Sequence, residues 1–182
     1  MEKRSEKRSV RIVLTGPEST GKTEISTYLA DKLNAVLIPE FAREYISKLN
    51  RKYEYGDVEN IAQKQIEEFN DPHDGKIVIF DTWLIITKIW FKLVFDNVPG
   101  WLEQKLGELR IDLFLLCEPD IPWEEDSLRE NPGKMRNTLY QYYKEEIEKY
   151  KFPYIEISGF GIERKNRALK AVQDYLKKCE LC

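Results

Sequence analysis

The chain has 182 residues, of which 42% are hydrophobic and 12% aromatic, and its net charge is −3 with a single histidine. This composition is typical of one globular domain with a substantial core and excludes an intrinsically disordered chain. It also excludes a global basic field, so we expect no nucleic-acid partner. The most apolar stretch, residues 83–95, is too short to cross a bilayer, and we expect no membrane association.

The N-terminal residues and the cysteines indicate the compartment. Residues 1–9 are charged and lack the apolar centre of a secretory signal, so we interpret them as a flexible lead-in to a single domain at residues 10–182. The three cysteines, Cys117, Cys179 and Cys182, have no recognisable metal-ligand spacing, and their odd number fits a reducing environment. We therefore predict a cytoplasmic protein, and the sequence leaves its oligomeric state open.

Strand-like and helical stretches alternate along the chain. This pattern predicts an α/β protein, a three-layer sandwich in which a five-stranded parallel sheet carries helices on both faces. The predicted strands are residues 10–15, 36–39, 77–81, 113–117 and 154–158. The predicted helices are residues 22–34, 41–49, 57–70, 82–95, 100–108, 134–149 and 163–178.

The first predicted strand leads into a loop with the glycine and lysine spacing of a P-loop. In a strand–loop–helix context, the N–H groups of such a loop and the helix N-terminus bind the phosphates of a nucleotide. We expect Lys22 to reach the β- and γ-phosphates of a bound triphosphate and Thr23 to ligate Mg²⁺. The alternative is a tight turn that binds nothing. The loop residues are Gly16, Pro17, Glu18, Ser19, Thr20, Gly21, Lys22 and Thr23.

Acidic residues follow two further predicted strands, at the sheet edge where open α/β sheets bind ligands. Asp81 ends an apolar strand in the manner of a Walker B acid, which indicates a catalytic role or an Mg²⁺ ligand. Its simpler interpretation is the N-cap of the next helix, and it could serve both roles. Glu40 begins a helix that also carries Arg43 and Tyr45. These residues either contact an acceptor hydroxyl or are an ordinary charged first turn.

The apolar helix predicted at residues 82–95 offers two unusual side chains. Trp90 could stack on a planar base, or it could be one of several aromatic residues that fill the core. Lys88 is unexpected in so apolar a helix, where it either extends to solvent or meets an anion.

Residues 118–136, which we call the lid segment, contain three prolines and six acidic residues. Such a flexible, charged stretch after the fourth strand is where a phosphoryl-transfer enzyme places a lid. Arg129 and Arg136 lie on either side of a Pro-Gly break and are candidates to contact the transferred phosphoryl group, although a solvated loop is the alternative. Gly159, in the turn after the last predicted strand, is expected beside the nucleotide base.

Taken together, these motifs resemble the ribosylnicotinamide kinase domain of the NadR family. The segments that carry the resemblance are residues 16–23, 39–45, 80–82, 87–88, 90, 122–123, 128–133 and 157–159. The resemblance implies ATP and Mg²⁺ as cofactors and transfer of a phosphoryl group to the 5′-hydroxyl of nicotinamide riboside. It makes Asp81 and Glu40 the candidate base or Mg²⁺ ligands and Lys22, Arg129 and Arg136 the charged residues of transfer. The acceptor site would consist of Glu40, Arg43, Tyr45, Lys88 and Trp90.

Two features depart from this family, and two other functions stay open. NadR proteins carry an adenylyltransferase domain ahead of the kinase, whereas nine residues precede the first predicted strand here, so we expect no second activity in this chain. Glu24 stands where a small or hydroxylated residue is common, and the sequence does not explain it. The alternatives are a kinase for another nucleoside or nucleotide and a regulatory P-loop ATPase.

Overall fold

The computed structural model describes residues 8–180; most of the lead-in predicted for residues 1–9, and Cys182, lie outside this range. Five parallel strands form one sheet in the order β2-β3-β1-β4-β5. This arrangement confirms the predicted α/β fold. The strands are β1 (Val10–Thr15), β2 (Val36–Ile38), β3 (Ile77–Asp81), β4 (Leu113–Cys117) and β5 (Tyr154–Ile157).

Within residues 8–180, seven α-helices cover the two faces of the sheet. They are α1 (Lys22–Leu33), α2 (Phe41–Ser47), α3 (Tyr55–Asn70), α4 (Leu84–Trp90), α5 (Gly100–Glu108), α6 (Lys134–Lys149) and α7 (Gly161–Glu180). Ile12 and Leu14 of β1 pack with α1 and α7, whereas Val13 faces the cluster that α3, α4, α5 and α6 share. Because successive strand residues point to opposite faces, a strand covered on both sides must be apolar throughout.

The helix predicted at residues 82–95 differs in detail from the observed one. Thr82 has a positive φ of 68°, and α4 begins only at Leu84. The segment Phe91–Phe95 continues α4 as a π-helical turn. Trp83, and not Asp81, is the N-cap residue of α4, so the Asp81 carboxylate is not used to cap this helix.

The side chain of Lys88 is 3% exposed, and its ammonium lies between two carboxylates of this chain. Its Nζ is 2.6 Å from Glu146 Oε2 on α6 and 2.9 Å from Glu103 Oε1 on α5. Glu146 stands ten residues after Arg136 along α6, which corresponds to about 15 Å of helix. Lys88 therefore meets anions, as one interpretation of the sequence held, and through them it joins α4, α5 and α6.

The described residues include no helix that is both long and apolar enough to span a membrane.

The P-loop passes very close to the neighbouring strand β4. A Cβ atom built on Gly16 would lie 2.6 Å from the carbonyl oxygen of Cys117, and Gly16 has a φ of 143°. A side chain at this position would collide with the backbone of β4, and its φ is one that only glycine adopts without strain. The first glycine of the loop is thus a packing requirement of the sheet as well as part of a phosphate site.

We expect Gly16→Ala to lower the free energy of unfolding by about 2–4 kcal/mol, from overpacking and backbone strain. Gly107→Ala is the control, because a Cβ atom there meets nothing within 4 Å and a helical alanine gains up to about 1 kcal/mol. Urea unfolding of both variants measures the difference. Equal midpoints for Gly16→Ala and the native chain would contradict the close-approach argument.

Candidate active site

The P-loop joins β1, the central strand, to the N-terminus of α1. Within the loop, the carbonyl oxygen of Pro17 accepts hydrogen bonds from Lys22 Nζ at 2.7 Å and from Thr20 Oγ1 at 2.8 Å. Lys22 is thereby held across the loop, next to the N–H groups that begin α1. This is the arrangement of backbone dipoles and one ammonium that binds nucleotide phosphates.

Asp81 lies at the end of β3, beside β1, where its backbone pairs with Leu14. The residue is 3% exposed, and its Oδ1 is a buried atom without a hydrogen-bond partner in the described part of the chain. Burial raises the pKa of Asp81, while the hydroxyls of Thr23 and Ser26 and the ammonium of Lys22 act to lower it. A carboxylate oxygen without a hydrogen-bond partner, on a residue next to the Thr23 hydroxyl, fits Mg²⁺, which takes few protein ligands and keeps waters and phosphate oxygens.

No cluster of three histidine, cysteine, aspartate or glutamate residues that could hold a metal ion occurs within residues 8–180. Thr23 and Asp81 are oxygen donors of the kind that Mg²⁺ takes together with waters and substrate phosphates.

Glu40 immediately precedes α2 at the carboxyl side of β2. It occupies the N-cap position, yet its side chain makes no capping hydrogen bond. Burial raises the pKa of its carboxyl group, Lys22 and Arg43 lower it, and the charges of Asp81 and Glu18 raise it. The structure thus brings Glu40, Lys22 and Asp81 into one electrostatic cluster, and the plain first-turn interpretation of Glu40 loses its main support.

The helix α2 is held against α3 by a buried aspartate. Asp57 accepts hydrogen bonds from Arg51 at 2.6 and 3.0 Å and from the hydroxyl of Tyr45 at 3.1 Å. The hydrogen bonds from Arg51 are the largest cause that lowers the pKa of Asp57 to about 2. Tyr45 was predicted to contact the substrate. In the structure its hydroxyl donates to Asp57 and so helps to hold α2, which begins next to Glu40, against α3.

Arg43 and Trp90 both connect to the lid segment. The Arg43 guanidinium pairs with Asp126. Trp90 is half-buried, and its ring meets Tyr53 edge-on at 4.8 Å; the Tyr53 hydroxyl donates to Glu130 at 3.0 Å. An aromatic pair with a carboxylate at its rim thus lies between α4 and the lid segment.

The lid segment packs directly on the P-loop. Arg136 is 7% exposed and donates to the main-chain oxygens of Glu18 at 3.2 Å, Ser19 at 2.8 Å and Ile121 at 2.9 Å. Burial is the main cause that lowers the pKa of its guanidinium, and the neighbouring charges of Arg129 and Arg164 contribute. An arginine stays charged despite such a shift. Arg136 therefore holds the P-loop in place, and each of its three guanidinium nitrogens already donates a hydrogen bond.

Arg129 lies at the rim of the same loop. Its Nη1 donates to the Glu124 carbonyl at 2.5 Å and approaches Ser19 Oγ at 3.4 Å. No other hydrogen bond of this guanidinium occurs within residues 8–180. Of the two predicted lid arginines, Arg129 is the one with donors left for a ligand.

Sequence reasoning missed Arg164, whose side chain is 3% exposed. Its guanidinium donates to Asp120, to the Gly159 carbonyl at 2.9 Å and to the Glu118 carbonyl at 2.7 Å. The N–H of Gly159 in turn donates to Asp120 at 2.6 Å. Arg164 thus ties the start of the lid segment to the turn predicted to face the nucleotide base.

Two further residues gain an explanation from the structure. Tyr143 on α6 is 5% exposed, and burial together with the charges of Glu18 and Glu40 raises the pKa of its hydroxyl. Tyr143 stands seven residues after Arg136, about two turns further along α6, and this helical spacing is the signal by which the sequence could have linked it to the site. Glu24 forms an ion pair with Lys165 at 3.0 Å and so links α1 to α7.

A P-loop between the central strand and its helix, with an acid at the end of the adjacent parallel strand, defines a nucleoside-triphosphate-binding α/β domain. Residues 11–165 match the family described as AAA domain, and the chain belongs to that family.

The chain is also similar to NadR proteins. It is 26% identical over 136 residues to the trifunctional NAD biosynthesis/regulator protein NadR of Salmonella typhimurium, an alignment that covers 71% of this chain and 33% of that protein. The chain thus spans about a third of this relative's length. A crystal structure of NadR in complex with NR superposes with a TM-score of 0.79 at 24% identity over 92% of this chain and 51% of that one. A second, with NAD and AMP-PNP, gives 0.77 at 23% identity, over 92% of this chain and 49% of that one.

We expect Asp81→Asn to remove the Mg²⁺ dependence of nucleotide binding without destabilising the free protein, because the buried carboxylate forms no ion pair in the described residues and its Oδ1 has no hydrogen-bond partner there. The measurement is the rise in melting temperature on addition of ATP with and without Mg²⁺. Asp174→Asn, at an exposed position of α7, is the matched control. An undiminished Mg²⁺ effect in Asp81→Asn would remove this residue from the metal site.

Proposed function

We propose that this protein is an ATP-dependent phosphotransferase for a nucleoside-type acceptor, and that the acceptor is nicotinamide riboside, phosphorylated at its 5′-hydroxyl. The observation that carries the proposal is the pair of carboxylates at the P-loop. Asp81 and Glu40 share one electrostatic cluster with Lys22, yet they come from different strands and have different surroundings. A phosphate site alone needs one acid for Mg²⁺, whereas a transfer site needs a second one for the acceptor.

The roles follow from those surroundings. Glu40 holds the acceptor hydroxyl and takes its proton, because burial raises the pKa of this carboxyl group and makes it the better base. Asp81 and Thr23 hold Mg²⁺, which supplies charge neutralisation to the phosphates when bound. Lys22 binds the β- and γ-phosphates, and Arg129 contacts the transferred group. Arg136 keeps the loop in place and does not itself touch the nucleotide.

The acceptor's ring is assigned to the aromatic pair near the lid segment. Nicotinamide riboside carries a cationic pyridinium, which aromatic faces and a nearby carboxylate favour. Trp90 and Tyr53 offer the rings and Glu130 the charge. The NadR crystal structure with NR supports this choice among nucleosides, and the one with AMP-PNP supports ATP as donor.

Regulatory ATP hydrolysis is the second candidate, because residues 11–165 match the family described as AAA domain and the P-loop with Asp81 would serve hydrolysis as well as transfer. The product of the reaction separates the two functions. A kinase releases ADP only with an acceptor, whereas a regulatory ATPase releases phosphate without one.

The test is incubation with Mg²⁺, ATP and a panel of ribosides, with mass spectrometry for each monophosphate. We expect nicotinamide mononucleotide from nicotinamide riboside and no product with Lys22→Ala, which lacks the ammonium at the phosphates. Phosphorylation of a different riboside alone would reject the proposed acceptor and keep the kinase. Acceptor-independent phosphate release would favour the ATPase.

Trp90→Ala should raise the KM for nicotinamide riboside by roughly tenfold, the size of one cation–π contact, and leave the KM for ATP unchanged. Trp90→Phe keeps an aromatic face and should lose much less. Steady-state kinetics with each substrate varied in turn measures both effects. An unchanged KM for the riboside in Trp90→Ala would exclude a stacking role.

A further inference from the structure

Glu18, the third residue of the P-loop, directs its carboxylate to the lid segment. Glu18 accepts hydrogen bonds from the backbone N–H of Glu130 at 3.1 Å and of Asn131 at 3.0 Å, and from Asn131 Nδ2 at 3.3 Å. These donors lie more than a hundred residues away in the chain. The motif alone assigned Glu18 to the nucleotide, whereas the structure shows its charge satisfied by lid N–H groups.

A carboxylate beside a phosphate site repels the phosphates that the loop binds. Its presence there requires a favourable interaction that offsets this repulsion. Glu18 forms no ion pair in the described part of the chain, and its charge raises the pKa of the neighbouring Glu40. Hydrogen bonds from N–H groups to an ionised carboxylate are among the stronger ones in proteins. The contact with the lid segment is therefore the interaction that offsets this repulsion.

The next loop residue holds the lid segment on the other side of Arg129. The backbone N–H of Glu124 donates to Ser19 Oγ at 2.9 Å, and Arg129 itself approaches that oxygen at 3.4 Å. Glu18 binds the two residues directly after Arg129. Two consecutive side chains of the P-loop thus bracket the arginine that has donors free for a ligand.

We propose that Glu18 is a positioning residue that fixes residues 130 and 131 and thereby sets Arg129 over the P-loop. The catalytic consequence rests on the proposed phosphotransferase function, in which Arg129 contacts the transferred group. The contact itself does not rest on it and is tested separately.

The first measurement is amide hydrogen exchange at residues 130 and 131, which needs no substrate. Glu18→Ala should speed exchange at these two amides at least tenfold over the native chain. Glu18→Gln should give an intermediate rate, because its amide oxygen can still accept from one N–H group. Glu145→Ala, at an exposed position of α6, is the control for loss of one acid. Unchanged exchange in Glu18→Ala would overturn the proposal whatever the activity of the protein.

The second measurement is a double-mutant cycle in kcat. Glu18→Ala alone should lower kcat roughly 10- to 100-fold, the range expected when a charged group is misplaced by about an ångström. Combined with Arg129→Ala, it should add little to the loss that Arg129→Ala causes alone. Multiplicative losses would show that Glu18 does not act through Arg129. Absence of any acceptor phosphorylation in the native chain would reject the proposed function and leave the exchange result to decide on the contact.

Discussion

A guanidinium that loses nearly all its water must find acceptors in the protein, and Arg136 finds them in main-chain oxygens. Those of Glu18, Ser19 and Ile121 belong to the P-loop and to the start of the lid segment. Main-chain oxygens cannot move without the segment that bears them. One buried cation at the start of α6 therefore sets the distance between the phosphate loop and the lid. The other candidate residues are arranged around this fixed pair.

Charged groups of both signs lose water at this site. Burial is the main cause that lowers the pKa of Arg136, and the charges of Arg129 and Arg164 lower it further. Burial also raises the pKa of the carboxyl groups of Asp81 and Glu40, which share one cluster with Lys22. Burying like charges together costs stability, which is typical of functional sites and uncommon in a purely structural sheet edge.

What the sequence could predict was local. The bounds of β1, β3, β4, α5 and α6 follow from apolar periodicity and from breaks such as Pro132-Gly133, and they match the structure. The family resemblance indicated an acceptor role for Lys88, whose observed partners are 15 and 58 residues away in the chain, beyond the reach of any local pattern. Arg164 was missed for the same reason, since Asp120 and the Glu118 carbonyl reach it only through the fold. The strand order, likewise, depends on pairing between distant segments.

The contact between Glu18 and residues 130 and 131 also bears on how such a domain can change over time. The main-chain N–H group of residue 130 donates to Glu18 and does not depend on the side chain at that position. At position 131 the main-chain N–H group also donates, and the side-chain amide of Asn131 adds a donor that is specific to this residue. Replacement of Glu18 by glycine or by a basic residue would leave these donors without an acceptor. We therefore expect the residues at positions 18 and 131 to change together. A chimera that exchanges the P-loop between relatives must carry the lid segment with it.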